Sequence, residues 1–322
     1  MSLGRRSAES ANQGKEFVME NEEPAAEKPQ LTPLLSNEAL SRLERMRIQS
    51  RRRFTNRSRG EHLAGRSGAS TEFCDYRDYV PGDDVRFVDW NIFARLNRPY
   101  LKLYHQEEEV HVVLLVDGST SMLFERKLDW AKELAAAFGV MALNGTERLS
   151  LYSFRRRDAP PHRLAPCRGR ASMKGLFAAV EAVEGGGDVP LEVAMESLLK
   201  HHTGRGVVVV LSDFLTFGDL GRAMNRLFTA GLEIFGLQLL GPTEIDPEVG
   251  GDTRFVDSET AATLDVSAAD DLLPLYQEHR IAYERNVAAL CQQRSGRFLT
   301  ISTADTIEWV LFDLLRRKGW AR

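Results

Sequence analysis

The sequence lacks several features that mark secreted, zinc–cysteine or membrane-embedded proteins. Only three cysteines occur in 322 residues, Cys74, Cys167 and Cys291, and no two have Cys-x-x-Cys spacing. An odd, scattered set favours a reducing compartment over a disulfide framework or a zinc site. No apolar run approaches the roughly 18 residues that a membrane span requires, and residues 14–30 are too polar for a signal peptide. These absences predict a cytoplasmic protein without a membrane span.

An excess of charge of one sign is also lacking. The chain has 42 Lys and Arg against 46 Asp and Glu, a formal net charge of -4. This balance argues against nucleic acid as the main partner. The local exception is an arginine-rich stretch from Arg42 to Arg59, which has only Phe54 as an aromatic neighbour. We interpret it as a solvated face or as a contact for an acidic partner.

Composition divides the chain into four segments. Residues 1–35 are rich in Ser, Glu, Asn, Lys and Pro without any period, which predicts a disordered tail. Residues 36–66 are predicted to hold a short helix, with Ser36 as its N-cap, and a basic linker. Residues 67–106 have aromatic and β-branched runs around a Pro-Gly-Asp-Asp turn, which predicts a β-rich extension. Residues 107–322 alternate short apolar strands with amphipathic helices.

This alternation predicts the fold class of the last segment. Val110 to Val116 and Val207 to Leu211 are nearly continuous apolar strands, typical of a sheet covered on both faces. Helical spacing follows both strands, and a hairpin is predicted from Asp252 to Val266. We therefore expect an α/β fold, a three-layer α/β/α sandwich with a Rossmann-type, mostly parallel sheet. Such sheets bind ligands beyond the carboxyl ends of their strands.

Polar side chains follow both of these strands. Asp117, Ser119 and Ser121 lie in one Asp-Gly-Ser-Thr-Ser loop, and Asp213 follows the second strand. If the strands are neighbours, the two carboxylates converge and repel one another unless a cation lies between them. Carboxylate and hydroxyl oxygens suit a hard divalent cation. The alternative is that these residues only cap helices, and we favour the metal site.

Two motifs together resemble a known family. The Asp117-x-Ser119-x-Ser121 loop with Asp213 resembles the metal-ion-dependent adhesion site of von Willebrand factor A domains. The run from Glu72 to Arg95, EFCDYRDYVPGDDVRFVDWNIFAR, resembles the signature of the bacterial and archaeal domain-of-unknown-function 58 family. The resemblance implies a von Willebrand factor A-like fold and Mg²⁺ or Mn²⁺ at the site. It also implies a non-enzymatic role as partner or adaptor of a MoxR-type AAA+ ATPase acting on a client protein.

One position departs from the resemblance. Von Willebrand factor A domains usually supply a threonine from a Gly-Gly-Thr-Asp stretch, whereas this chain has Gly185, Gly186, Gly187 and Asp188. Glycine has no side-chain oxygen to offer. Either water replaces the threonine hydroxyl, or Asp188 supplies a third carboxylate.

The family-signature run offers further candidates. We expect its aromatic residues, including Trp90, to anchor the extension, and its arginines to pair with its aspartates. Direct contact with a partner is the alternative role of this block. The residues concerned are Asp83, Asp84, Arg86, Asp89, Trp90 and Arg95.

Two other functions stay open. One is a metal-free scaffold that binds its ATPase through the extension and the arginine-rich stretch. The other is a Mg²⁺-dependent hydrolase, which we disfavour because the chain has no Walker lysine and no phosphate-binding glycine loop. Ser119 also lacks the Gly-x-Ser-x-Gly setting of a hydrolase nucleophile.

Overall fold

The computed structural model describes residues 30–50, 55–57, 71–107, 110–145, 147–248, 251–256, 262–266 and 272–322. Most of the predicted disordered tail, residues 1–29, lies outside these ranges. So do Arg51, Arg52, Arg53 and Arg59 of the arginine-rich stretch. The predictions for those residues stay predictions.

The first helix, α1 (Asn37–Leu43), begins where the sequence predicts it. The Ser36 hydroxyl accepts a hydrogen bond from the Ala39 amide at 3.1 Å, as expected of an N-cap. Leu40 and Leu43 are buried in the core. The chain then runs along the C-terminal residues, where Ile48 pairs with Ala321. This segment is therefore part of the packed domain.

A three-stranded antiparallel sheet, in the order β1-β3-β2, combines two strands of the predicted extension with one strand from the predicted basic linker. Its strands are β1 (Thr55–Arg57), β2 (Thr71–Asp78) and β3 (Tyr100–Glu107). A helix, α2 (Trp90–Leu96), interrupts the predicted β-rich segment. Asp89 caps this helix by accepting hydrogen bonds from the amides of Asn91 and Ile92. The β-rich interpretation is thus correct for the strands and wrong for residues 90–96.

The rest of the chain folds as an α/β/α sandwich around a six-stranded sheet. Among the described residues, this sheet has the order β11-β8-β7-β4-β5-β6, and all neighbours are parallel except β6, which runs antiparallel to β5. With β4 counted as the first strand, the order is 3-2-1-4-5-6, the doubly wound arrangement. The strands are β4 (His111–Asp117), β5 (Arg148–Phe154), β6 (His162–Cys167), β7 (Gly206–Ser212), β8 (Leu232–Leu240) and β11 (Arg297–Ser302).

Helices cover both faces of the sheet. Alternate residues of β4 point to opposite cores, because side chains along a strand alternate between faces. Val112 and Leu114 pack with α3 (Lys127–Asn144), α4 (Met173–Glu181) and the C-terminal helical residues. The opposite core, which contains Val113 and Leu115, includes residues of three other helices. These are α5 (Leu191–Leu198), α6 (Leu220–Thr229) and α8 (Leu273–Gln292).

The remaining elements are a one-turn helix, a hairpin and the C-terminal helical region. A one-turn helix, α7 (Pro242–Ile245), follows β8 and was not predicted. The hairpin of β9 (Thr253–Val256) and β10 (Thr263–Val266) confirms the predicted one. The last helical region, with α9 (Ile307–Trp309) and α10 (Leu315–Arg317), has a π-helical turn over 310–314 between them. Within the described residues, no helix is both long enough and apolar enough to cross a membrane.

Candidate functional site

Asp117 and Asp213 meet at the carboxyl edge of the central sheet. The strands β4 and β7 are parallel neighbours, with Val116 opposite Leu211. Asp117 is the last residue of β4, and Asp213 directly follows β7. The two carboxylates are close enough for their charges to interact. The predicted convergence of the two strand ends is thus confirmed.

Asp117 is buried and has only neutral hydrogen-bond donors. Its side chain is 6% exposed. One carboxylate oxygen accepts from the Ser119 amide at 2.8 Å, and the other accepts from the Ser212 hydroxyl at 2.5 Å. Burial, and then the charge of Asp213, raise the pKa of Asp117 to about 6, although the hydrogen bonds oppose this shift. The carboxylate is therefore one that a nearby cation would stabilise.

Two hydroxyl groups lie in the same loop as Asp117. The side-chain oxygens of Ser119 and Ser121 are 3.1 Å apart, and Ser119 is buried. Met122, the next residue, is completely buried and fixes the end of the loop to the core. The loop therefore offers one carboxylate and two hydroxyls, which are donors of the kind that Mg²⁺ and Mn²⁺ prefer.

Asp213 differs from Asp117 because a cation of the protein is already beside it. The Lys127 ammonium group donates to Asp213 Oδ2 at 2.8 Å and to Glu244 Oε1 at 2.7 Å. Lys127 and Asp213 are almost completely buried. Burial alone would lower the pKa of Lys127, but the two carboxylates outweigh it, so this pKa lies above its usual value. Sequence reasoning missed both Lys127 and Glu244.

The backbone after Asp213 turns sharply and is held from inside the domain. Phe214 is buried and has a left-handed backbone with φ of 59°. Its carbonyl oxygen accepts from the Tyr283 hydroxyl at 2.5 Å, and its ring lies edge-on to Phe298. The Asp213 carbonyl accepts from the Gln238 side chain at 2.9 Å. This turn points Asp213 inward and leaves the next residue, Leu215, exposed.

The departure at Gly187 has a structural cause. The Gly187 amide donates to the Gly118 carbonyl at 2.8 Å, and its carbonyl accepts from the Thr120 amide at 3.1 Å. A Cβ atom at this position would lie 2.3 Å from the Arg155 carbonyl oxygen. Backbone on both sides therefore excludes any side chain at position 187, including the threonine that the resemblance implies.

Asp188 is not brought into the site as a third acidic ligand. It is exposed, and its amide donates to the Arg155 carbonyl at 3.0 Å. Among the residues that the structure describes, no group of three His, Cys, Asp or Glu side chains is placed to hold a metal ion. The oxygen atoms that fit a hard cation are therefore those of Asp117, Ser119 and Ser121, with Asp213 contributing charge from one side.

Exposed apolar side chains lie in the same two loops as these polar residues. Leu123 and Phe124 follow the Asp117 loop and are 56% and 49% exposed. Leu215 and Phe217 follow Asp213; Leu215 is 53% exposed, and Phe217 projects fully into solvent. We call these four residues the apolar collar. Large exposed apolar side chains in neighbouring loops are a feature of binding surfaces.

The family-signature block forms internal ion pairs. Asp84 pairs with Arg86, as predicted, with the closest atoms 2.5 Å apart. Asp83 pairs instead with Arg77, and Asp89 pairs with Lys102 at 3.1 Å. The hydrogen bond from Lys102 lowers the pKa of Asp89 below its usual value.

Trp90 does not anchor the extension as predicted. It is 60% exposed and touches Phe93 edge-on. Val88 and Leu101 are buried instead, and they pair with each other in an antiparallel bridge. Arg95 is exposed at the end of α2. Partner contact through this block stays a prediction.

The 3-2-1-4-5-6 strand order, together with an Asp-x-Ser-x-Ser loop after the first strand, defines a von Willebrand factor A-like domain. The particular family follows from the sequence. Residues 75–289 match the family described as "Protein of unknown function DUF58", and the chain belongs to that family.

Relatives and solved structures of similar sequence or shape are also found. The uncharacterized protein Rv1480 of Mycobacterium tuberculosis is 28% identical over 272 residues, which cover 81% of this chain and 84% of the relative. Uncharacterized protein Mb1516 of Mycobacterium bovis matches equally well. BatB from Bacteroides thetaiotaomicron is 13% identical, with a TM-score of 0.41 over 65% of this chain and 97% of that chain. A von Willebrand factor type A structure from Catenulispora acidiphila is 16% identical, with a TM-score of 0.34 over 54% of this chain and 43% of that chain.

Proposed function

We propose that this chain is a non-enzymatic protein-binding module whose contact surface is the carboxyl edge of the central sheet. The observation that carries the proposal is the apolar collar. Its four residues belong to the same two loops that present Asp117 and Asp213. Large exposed apolar side chains in the loops that carry these carboxylates are typical of a surface that binds another protein.

A divalent cation is part of this proposal. Asp117, Ser119 and Ser121 would hold Mg²⁺ or Mn²⁺, and water would take the place of the threonine that Gly187 excludes. The cation would supply an open coordination position for an acidic side chain of the partner. Asp117 supports this role, because no cationic side chain of the described residues is bonded to its buried carboxylate, unlike that of Asp213.

The partner that we propose is a MoxR-type AAA+ ATPase. The resemblance to the DUF58 family supports this choice, and the chain would act as an adaptor between the ATPase and a client protein. Maturation or remodelling of the client would then depend on contact at the collar. Direct contacts from the family-signature block, including exposed Trp90, would extend the interface.

The first experiment measures binding of the purified chain to the purified MoxR-type ATPase of the same organism, with Mg²⁺ and with EDTA. Asp117→Ala should weaken binding by at least about tenfold in Mg²⁺, equivalent to about 1.4 kcal/mol. Asp158→Ala is the matched control, because Asp158 is an exposed aspartate shortly after β5 at the same edge. Full affinity of Asp117→Ala, with the fold intact, would overturn the metal-dependent proposal.

A metal-free scaffold is the second candidate, and one observation favours it. The ammonium group of Lys127 already balances Asp213, so the edge holds one internal cation without any metal. In this case binding would be insensitive to EDTA and to Asp117→Ala. Charge reversal at Arg51, Arg52 and Arg53 would instead disrupt binding.

A further inference from the structure

The ion cluster of Lys127, Asp213 and Glu244 has no role in the function proposed so far. We infer that Lys127 is the built-in cation of this site and that its ammonium group sets how tightly the site binds a divalent metal. The inference rests on the proposed metal site, and it concerns the regulation of that site. It treats Lys127 as a positioning residue, because it would act on the metal through Asp213.

The loop before α3 places Lys127 with unusual backbone geometry. Glu125 and Arg126 both have left-handed backbones, with φ of 44° and 61°. This conformation costs energy for residues with a side chain, so other contacts must hold it. Glu125 accepts from the Thr243 amide at 3.1 Å and from its hydroxyl at 2.7 Å. The chain therefore enters α3 with Lys127 directed inward.

Glu244 and Asp213, the acidic partners of Lys127, are each held by a second hydrogen bond from a backbone amide. The second oxygen of Glu244 accepts from the Gly241 amide at 2.7 Å. The second oxygen of Asp213 accepts from the Leu215 amide at 3.0 Å. Both oxygens of Asp213 are thus occupied by donors of the protein, one of which carries a full positive charge. Asp213 cannot turn toward a metal without breaking one of these bonds.

The charge on Lys127 must also act on any cation bound nearby. Asp117 ends β4 and Asp213 directly follows the neighbouring parallel strand β7, so a metal at Asp117 would lie near the ammonium group beside Asp213. Like charges repel strongly where water is excluded. Lys127 therefore competes with the metal in two ways, because it neutralises Asp213 and it repels the incoming ion. Glu244 weakens this competition, because it shares the ammonium charge.

Two substitutions should therefore change metal affinity in opposite directions. Lys127→Gln keeps a hydrogen-bond donor for Asp213 but makes the cluster one charge more negative. Glu244→Gln keeps the shape of the acid but makes the cluster one charge more positive. We expect the first variant to bind Mg²⁺ and Mn²⁺ roughly tenfold more tightly and the second roughly tenfold more weakly. Simple damage to the loop would weaken binding in both.

The experiment is a calorimetric titration of EDTA-stripped protein with Mg²⁺ and with Mn²⁺, for wild type and both variants. Lys132→Gln is the matched control, because Lys132 lies on the same helix and bonds only to the Glu181 carbonyl at 3.1 Å. It should leave the affinity unchanged. Opposite shifts in the two cluster variants support the inference. Shifts of the same sign, or none, overturn it.

Failure of the metal-dependent function is distinguishable from failure of this inference. If wild type binds no metal but Lys127→Gln does, the lysine is the cation of the site, and the native protein works without metal. If neither binds metal, the inference is overturned. If Lys127→Gln is unfolded without metal, the titration is followed by circular dichroism. Recovery of the fold on adding Mg²⁺ supports the inference, and a chain that stays unfolded overturns it.

Discussion

The two ends of β4 carry buried ionisable side chains in very different surroundings. Asp117, at the carboxyl end, is 6% exposed, and both of its oxygens have donors. His111, at the amino end, is 4% exposed, and its Nε2 has no hydrogen-bond partner among the described residues. Its ring centroid is 4.5 Å from that of His202, whose Nδ1 also lacks a partner.

The difference between the surroundings of His111 and Asp117 shows that burial of an ionisable side chain does not by itself make a binding site. Burial lowers the pKa of His111 to about 4, with smaller contributions from His202 and Arg148, so the pair is neutral near pH 7. Nothing at that end calls for a ligand of opposite charge. At the carboxyl end, loop amides, hydroxyls and Lys127 surround two carboxylates. The residues of the apolar collar lie in the loops that follow the strands at this end, which is why we propose the function there.

The largest expected effect tests the ion cluster at the carboxyl end. Lys127→Met should lower the free energy of unfolding by about 3–5 kcal/mol, because it leaves two buried or half-buried carboxylates without their cation. Urea denaturation in EDTA measures the loss. Lys132→Met, at a half-buried position of the same helix, should cost less than about 0.5 kcal/mol. Equal losses in the two variants would mean that the cluster has no special role in stability.

Gly187 provides the next test of the same end. Gly187→Thr restores the residue type of the resemblance, yet it should destabilise the protein by about 3 kcal/mol, because a Cβ atom would overlap the Arg155 carbonyl. It should also fail to strengthen Mg²⁺ binding. Gly175→Ala is the control, since a Cβ atom there meets nothing within 4 Å. A stable Gly187→Thr variant that binds Mg²⁺ more tightly would refute our account of the loop.

The smallest expected effect concerns the amino end and its dependence on pH. The pKa of His111 is lowered, so between pH 7 and pH 5 the unfolded chain binds more protons than the folded one. The contribution of His111 to stability should therefore fall by about 2 kcal/mol as pH falls over this range. His111→Leu should lose less over the same range, as measured by urea denaturation at each pH. Identical slopes would show that His111 does not titrate as described.

The comparison with His111→Leu is needed because two buried carboxyl groups, Asp117 and Glu147, act in the opposite direction. Burial raises the pKa of Glu147 to about 7. In the folded chain this carboxyl keeps its proton up to about pH 7, whereas in the unfolded chain it loses the proton above the ordinary pKa of glutamate. Glu147 therefore favours folding as pH falls. The difference between wild type and variant cancels the contributions of both carboxyl groups and isolates His111.

The sequence was sufficient for the parallel strands of the central sheet, because their apolar runs are unambiguous. The apolar runs of β4 and β7 require burial on both faces, and their shared edge follows from parallel pairing. The same reasoning misses β6, a short antiparallel strand at the edge of the sheet whose residues are at most half-buried. Helix α2 was missed because its aromatic residues favour a strand, although Asp89 is a recognisable N-cap.

The candidate site was only half predictable. Asp117, Ser119 and Ser121 form one local motif, so spacing alone singles them out. Lys127 gave no such signal, because its partners lie 86 and 117 residues further along the chain. Gly187 was visible as a departure, but the backbone contacts that require it appear only once the loops are packed.

The turn at Phe214 has a consequence for how the edge meets another molecule. Leu215 extends from a backbone that is bonded to the core at Asp213 and Phe214, so its position is set before any encounter. The loop carrying Leu123 and Phe124 is fastened at Glu125 by exposed hydrogen bonds, which are weaker restraints. If this edge binds another protein as proposed, the loop that carries Leu215 would select partners by shape. The loop that carries Leu123 and Phe124 would adapt more readily to different partners.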